Sequence, residues 1–193
     1  MFPQITLSSL TRDDVERVAL WLDDAEVNAL WYGVGEDGRP LHIGYSPGDI
    51  LGAEASEWDQ ALEDEEFRKI FSVYTSEGEH IGEGQLVFEW PLIEAQLFLM
   101  IGRKDLWHHH YGTSALVAML DEAFESYELH RVWVDVPEYN ENALRLCRHV
   151  GFVLEGHFRK THRKEDVWYD SFAMGLLSDE YARRRARLLE TTA

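Results

Sequence analysis

Apolar positions along the chain change period several times, and each change marks an element. Residues 5–10 alternate as a short strand. Val15, Val18, Ala19 and Leu22 then recur at helical spacing, which predicts a helix over 12–22 with Thr11 as its cap and Asp14 at the third helical position. A second short helix is expected over 25–31. Residues 33–55 hold six glycines and two prolines and read as a loop. Ile43, Tyr45, Ile50 and Leu51 within it indicate packing on the domain, and loops of this length are often functional. Ser56 is positioned to cap a helix running to about residue 66.

Three strands are expected over 67–75, 81–90 and 94–102. The breaks at 76–79 and at Pro91 look like hairpin turns, so the pairing should be antiparallel. The period then returns to helical over 111–127, where Ala115, Leu116, Met119, Leu120, Ala123, Phe124 and Tyr127 share a face. Val132, Val134 and Val136 alternate as a strand. Asn140 opens a helix that Gly151 closes. A last hairpin over 152–161 and 166–177 leads into a final helix from Ser178. The order predicts a mixed α/β (α+β) sheet, with parallel pairing around the helices at 111–127 and 140–150.

Length and composition fit one domain: 193 residues, 45% hydrophobic, no repeat and no low-complexity tract. The N-terminus has neither a basic cluster nor an apolar run, and no stretch is long enough to cross a bilayer. Cys147 is the only cysteine, so an internal disulfide is excluded and a cytoplasmic location is expected. The formal charge of −18 is uneven: residues 1–90 carry 20 acidic and 5 basic side chains, residues 91–193 carry 16 and 13. Such a field argues against nucleic-acid and anionic-membrane partners. It favours a cationic ligand on the first half, or serves solubility alone.

The run from Leu99, Met100 and Ile101 through Gly102 to Trp107, His108, His109, His110, Tyr111, Gly112, Thr113 and Ser114 carries the chemistry. A strand ends, a short loop turns and a helix begins, so successive main-chain amides and the helix dipole offer a phosphate or pyrophosphate site. Gly112 permits close approach, and Thr113 and Ser114 add hydroxyl donors. The same pattern also occurs as a plain turn in an α/β core. The three adjacent histidines have no further ligand spacing, so no metal site is expected.

This run, the strand over 130–136, the segment Asn140-Glu141-Asn142-Ala143-Leu144-Arg145-Leu146 closing at Gly151-Phe152, and the tail around Trp168-Tyr169-Asp170 and Glu180-Tyr181 together resemble the GNAT superfamily of N-acetyltransferases. The tail is similar to the branch of ribosomal-protein N-terminal and spermidine acetyltransferases. The resemblance covers about 67–181 and implies a mostly antiparallel sheet splayed at its centre with helices on both faces. It also implies acetyl-CoA as cofactor, with the pyrophosphate on the amides of 108–113 and the pantetheine arm along 99–101. Asn140 would contact that arm, unless it is only a helix cap. Arg145 and Arg148 would meet phosphates, unless they lie on a solvated face.

Three residues depart from the family pattern. His110 stands where glycine is usual. Gln96 stands where a glutamate base is common, leaving Glu94 on the same strand face as a substitute, or as a plain strand-end carboxylate. Cys147 stands where a tyrosine acid is common, as a proton donor or as a buried structural thiol. The implied reaction is acetyl transfer to a primary amine: a peptide N-terminus, a polyamine or another small cationic amine. Met100 is the expected oxyanion donor, Glu83 or Glu94 the expected relay to water, and Trp31, Tyr32, Tyr45 and Trp58 the expected aromatic walls for the cation. The alternative is a non-catalytic relative that binds coenzyme A or a protein partner. The fold implied by the resemblance often pairs an exposed edge strand in a homodimer.

Overall fold

The computed structural model describes residues 2–35, 37–54, 58, 66–164 and 166–190. The helix expected over 56–66 falls largely outside these residues. The elements are β1 (Ile5–Ser8), α1 (Arg12–Asp23), α2 (Ala25–Leu30), α3 (Pro47–Gly52), β2 (Arg68–Thr75), β3 (His80–Glu89), β4 (Glu94–Ile101), α4 (Tyr111–Asp121), β5 (Arg131–Pro137), α5 (Glu141–Val150), β6 (Val153–Lys164), β7 (Val167–Leu177) and α6 (Ser178–Glu190). Among the described residues no helix is long and apolar enough to cross a membrane.

Local chemistry accounts for most of these boundaries. The Thr11 hydroxyl accepts from the Asp14 amide and the Asp14 carboxylate accepts from the Thr11 amide, a reciprocal cap on α1. Gly151 ends α5 at φ +126°, where a side chain would be strained. Two elements differ from expectation. Pro47 and the residues after it wind into α3 inside the loop over 33–55. The helix expected over 111–127 passes at Glu122 into a π-helical turn, with the Tyr127 amide on Glu122 O at 3.0 Å.

All seven strands join one sheet in the order β1-β2-β3-β4-β5-β7-β6. Among the described residues only β4 and β5 run parallel, with α4 as the crossover. Parallel pairing around the helix at 140–150 does not occur. β7 inserts between β5 and β6 and pairs antiparallel with both, so the strands flanking α5 never meet.

The main core lies between the sheet and α4 with α5. Leu86, Leu116, Met119, Leu120, Val132 and Val150 are buried there. A Cβ on Gly84 would stand 2.1 Å from Met119 Sδ, so glycine at this position allows α4 to seat on β3. On the opposite face Val18, Leu22 and Val27 pack against Met100. Helices thus cover both faces, and burial of these side chains is the main force holding them.

Candidate active site at the opening of the sheet

β4 and β5 pair at only three positions, Glu94 with Arg131, Ala95 with Val132 and Gln96 with Trp133. Both strands continue, β4 to Ile101 and β5 to Pro137, but they part. Other bonds hold the separated ends. The Trp107 indole donates to Ile101 O at 2.8 Å, and the Glu138 amide bonds Asp170 O at 2.9 Å on the far side of β5. Past Gln96, β4 therefore presents main-chain groups to a gap rather than to a neighbouring strand.

A cavity of about 510 Å³ fills this gap, within the range of roughly 300–1,000 Å³ usual for small-molecule sites. Its walls are Leu97 to Ile101 of β4, Val134 to Pro137 of β5, the loop before α4, the outward face of α5 and the end of α2. At one end lies the N-terminus of α4. The first bond within that helix is Ser114 N to His110 O, so the amides of Tyr111, Gly112 and Thr113 have no partner inside the helix. Together with the helix dipole these amides can attract an anion.

His108 and His110 have φ of +64° and +65°, the left-handed region that favours glycine. The turn's geometry explains why glycine suits position 110. Histidine adopts it here with its ring against Phe2, at 5.7 Å between centroids. The three histidines are exposed, and two of them, His108 and His110, border the cavity. A Cβ on Gly112 would find nothing nearer than Leu146 Cδ2 at 3.6 Å, so the approach to the amides is open.

The expected cofactor-binding residues divide. Leu99, Met100, Ile101, Trp107, His108, His110, Gly112, Thr113, Asn140 and Arg145 line the cavity. Arg145 is an exposed rim residue bonded to Glu141 and Asn142. His109, Tyr111, Ser114 and Arg148 do not line it. The Ser114 hydroxyl bonds Pro3 O at 2.7 Å, Tyr111 packs into an apolar cluster, and His109 and Arg148 face solvent. Asn140 caps α5 through the Ala143 amide and also donates to Leu30 O, so both ends of its amide are engaged within the fold.

The two expected catalytic side chains lie differently with respect to the cavity. Glu94 begins β4, at the end remote from the opening, and pairs with Arg131 at 2.7 Å. It does not line the cavity. Cys147 does line the cavity, but burial pushes its thiol up to about 12. An ordinary thiolate, with a pKa of about 8.5, is a poor acceptor for such a proton.

Glu83 is also saturated. It is fully buried on β3 and receives His42 Nε2 at 2.9 Å, Gln85 Nε2 at 2.8 Å and the Tyr45 hydroxyl. The Trp31 indole donates to His42 Nδ1 at 3.1 Å, which leaves Nε2 to donate to Glu83. Desolvation pushes the Glu83 carboxyl up, but the contacts from His42, Tyr45 and Gln85 outweigh it and hold it below its ordinary value. Of the expected aromatic walls, Trp31 and Tyr32 line the cavity, whereas Tyr45 and Trp58 belong to a cluster under α1.

One pair was not anticipated. Asp135 of β5 lines the cavity, and His162 of β6 approaches its Oδ2 at 3.2 Å. The alternation of Val132, Val134 and Val136 places Asp135 on the opposite strand face, but periodicity alone does not distinguish it from any solvated acid.

An acetyltransferase (GNAT) domain model matches residues 4–153. An uncharacterized N-acetyltransferase, YnaD of Bacillus subtilis strain 168, is 28% identical over 71 residues. That match spans 37% of this chain and 42% of the relative. Among solved structures, spermidine N-acetyltransferase from Vibrio cholerae in complex with CoA and spermine superposes with a TM-score of 0.77 at 20% identity, over 93% of this chain and 98% of that one. The spermidine/spermine N-acetyltransferase SpeG of the same organism, in complex with manganese ions, gives a TM-score of 0.71 at 20% identity, over 94% and 96%. At this identity the likeness bears on fold.

Proposed function

The chain belongs to the GNAT acetyltransferase family, whose members use acetyl-CoA, and from that membership we propose that it transfers an acetyl group to a small cationic primary amine. The observation that carries this reading is the joining of two features in one cavity: free amides at the start of α4 and the unpaired stretch of β4. An anion-binding helix terminus beside an open strand edge suits a nucleotide thioester with an amide-bearing arm. The residues present fit that group, because Gly112 adds no bulk beside the amides.

The amides of Tyr111, Gly112 and Thr113 would hold the pyrophosphate, with Arg145 at the rim as a charge partner. The edge of β4 from Leu97 to Ile101 would pair with the arm, between apolar side chains of α5 such as Leu146. When bound, acetyl-CoA supplies an activated acetyl thioester. Met100, in the unpaired stretch of β4, would offer its amide to a carbonyl oxygen lying in the gap.

No carboxylate expected as a base reaches the cavity, so positioning is the chief contribution of this chain. Effective molarities of about 10⁵ M or more show how far orientation alone can carry a reaction. The acidic first half of the chain favours a cationic acceptor, and the spermine bound by the Vibrio cholerae neighbour agrees with that.

The test is thiol release from acetyl-CoA across a panel of aliphatic diamines, polyamines and peptides, alongside calorimetry of acetyl-CoA binding. Micromolar acetyl-CoA binding with amine-dependent thiol release is expected. Binding without release from any amine would favour the non-catalytic alternative. Absence of binding would remove both.

A further inference from the structure

Two carboxylates lie on the sheet face that carries α1 and α2, close to where β4 and β5 part: Glu83 of β3 and Asp135 of β5. Their environments differ. Both oxygens of Glu83 receive donors from the protein. Asp135 receives one, from His162 to Oδ2, and its Oδ1 is buried with no hydrogen-bond partner. A carboxylate oxygen buried without a partner is unfavourable. Asp135 itself lines the ligand cavity, and its side chain keeps 19% of its surface exposed, so the carboxylate can take a further donor that arrives with the ligand.

The surroundings narrow what that donor is. Tyr32 lines the same cavity, and its ring lies 5.5 Å from that of His162. Trp31 lies next to it along the wall. The Tyr32 and Tyr139 phenols are both pushed up, first by burial and then in part by the Asp135 charge, so they remain neutral. Lys164 is engaged elsewhere, with its Nζ 3.6 Å from the Tyr139 ring centroid. A carboxylate flanked by neutral aromatic faces attracts an alkylammonium through charge and through the ring faces together. It disfavours an amine that carries a neighbouring carboxylate.

We propose that Asp135 is the residue that recognises the acceptor, taking an N–H of an aliphatic ammonium on its carboxylate, and that His162 is a positioning residue that fixes the carboxylate by holding Oδ2. The proposal rests on the amine acetyltransferase reading. It deepens that reading by naming the acceptor as a free alkylamine and by naming its anchor. The orientation depends on β6: its register with β7 shifts between Phe158 and His162, with Lys160 at φ +54° inside the shift. Ser171 and Ala173 of the intervening strand are small residues on the shared face, which leaves the space His162 crosses to reach Asp135.

The experiment uses the full chain saturated with coenzyme A, and calorimetry with 1,4-diaminobutane, so no turnover is required. The wild-type chain is expected to bind the diamine, and Asp135→Asn to weaken it at least tenfold while acetyl-CoA affinity stays within twofold. His162→Ala should raise KM for the diamine several-fold with little change in kcat, and His162→Gln, whose amide nitrogen can replace Nε2, should restore it. Failure of the wild-type chain to bind the diamine, or an Asp135→Asn variant that binds it normally or loses acetyl-CoA, overturns the proposal. If diamine binding depends on Asp135 but no thiol is released, the anchor stands and the enzyme reading falls. If thiol is released equally by both chains, the enzyme reading stands and the anchor falls.

Discussion

Asn140 Nδ2 donates to the carbonyl oxygen of Leu30 at 3.0 Å, joining residues 110 positions apart in the chain. The bond ties the start of α5 to the end of α2, two walls of one cavity. Since Asn140 Oδ1 also caps α5, the side chain holds the site's shape from within the protein. Asn140→Ala should cost about 1 kcal/mol for the cap and about 1 kcal/mol more for the stranded carbonyl. Asn140→Asp keeps the cap and should lose only the second part. Urea unfolding of the three chains would separate the contributions.

Gly112 stands in the first turn of α4 without a positive φ, so a small side chain fits its backbone. Gly112→Ala should therefore leave both stability and acetyl-CoA affinity close to wild type. Gly112→Trp places an indole across the free amides and should abolish acetyl-CoA binding by calorimetry while the melting temperature is maintained. Unchanged affinity in the tryptophan variant would mean that the anion site lies elsewhere.

Cys147 should be chemically quiet. Its thiol is 5% exposed and pushed up to about 12 by burial, so little thiolate forms at pH 8. Alkylation should be slow until the chain is unfolded, and Cys147→Ala should keep kcat within about twofold. Glu94→Gln should likewise retain turnover, because that carboxylate is committed to Arg131 at the other end of the strand.

The acid limb of the stability curve should depend on Asp14. Burial pushes its carboxyl up, but the Tyr74 hydroxyl, the Thr11 amide and the Ser72 hydroxyl outweigh that and hold it below 3.8. A carboxyl with a lowered folded pKa stabilises fully above its unfolded value and loses that contribution as pH falls through the folded value. Asp14→Asn should cost about 3 kcal/mol at pH 7 by breaking a buried charged network. The gap from wild type should narrow near pH 3, as measured by urea midpoints at the two pH values.

Much of this was written locally in the chain. Thr11 and Asp14 announce the start of α1, Gly151 the end of α5, and the turn from Ile101 to Gly112 the proposed anion site, because caps and main-chain amides act over a few residues. The valine alternation in β5 likewise reports a strand and its buried face. What lay beyond local pattern was which side chains share the opening. Glu94 and Met100 stand on one strand face, yet only Met100 reaches the cavity, since the strands part after Gln96. Asp135 and His162 meet because β7 inserts between their strands and β6 is bulged, so that pairing is a property of topology and register. Periodicity assigns a residue to a face; only the packed sheet decides which residues of that face stand at its gap, and which buried carboxylate is left with an oxygen unpaired.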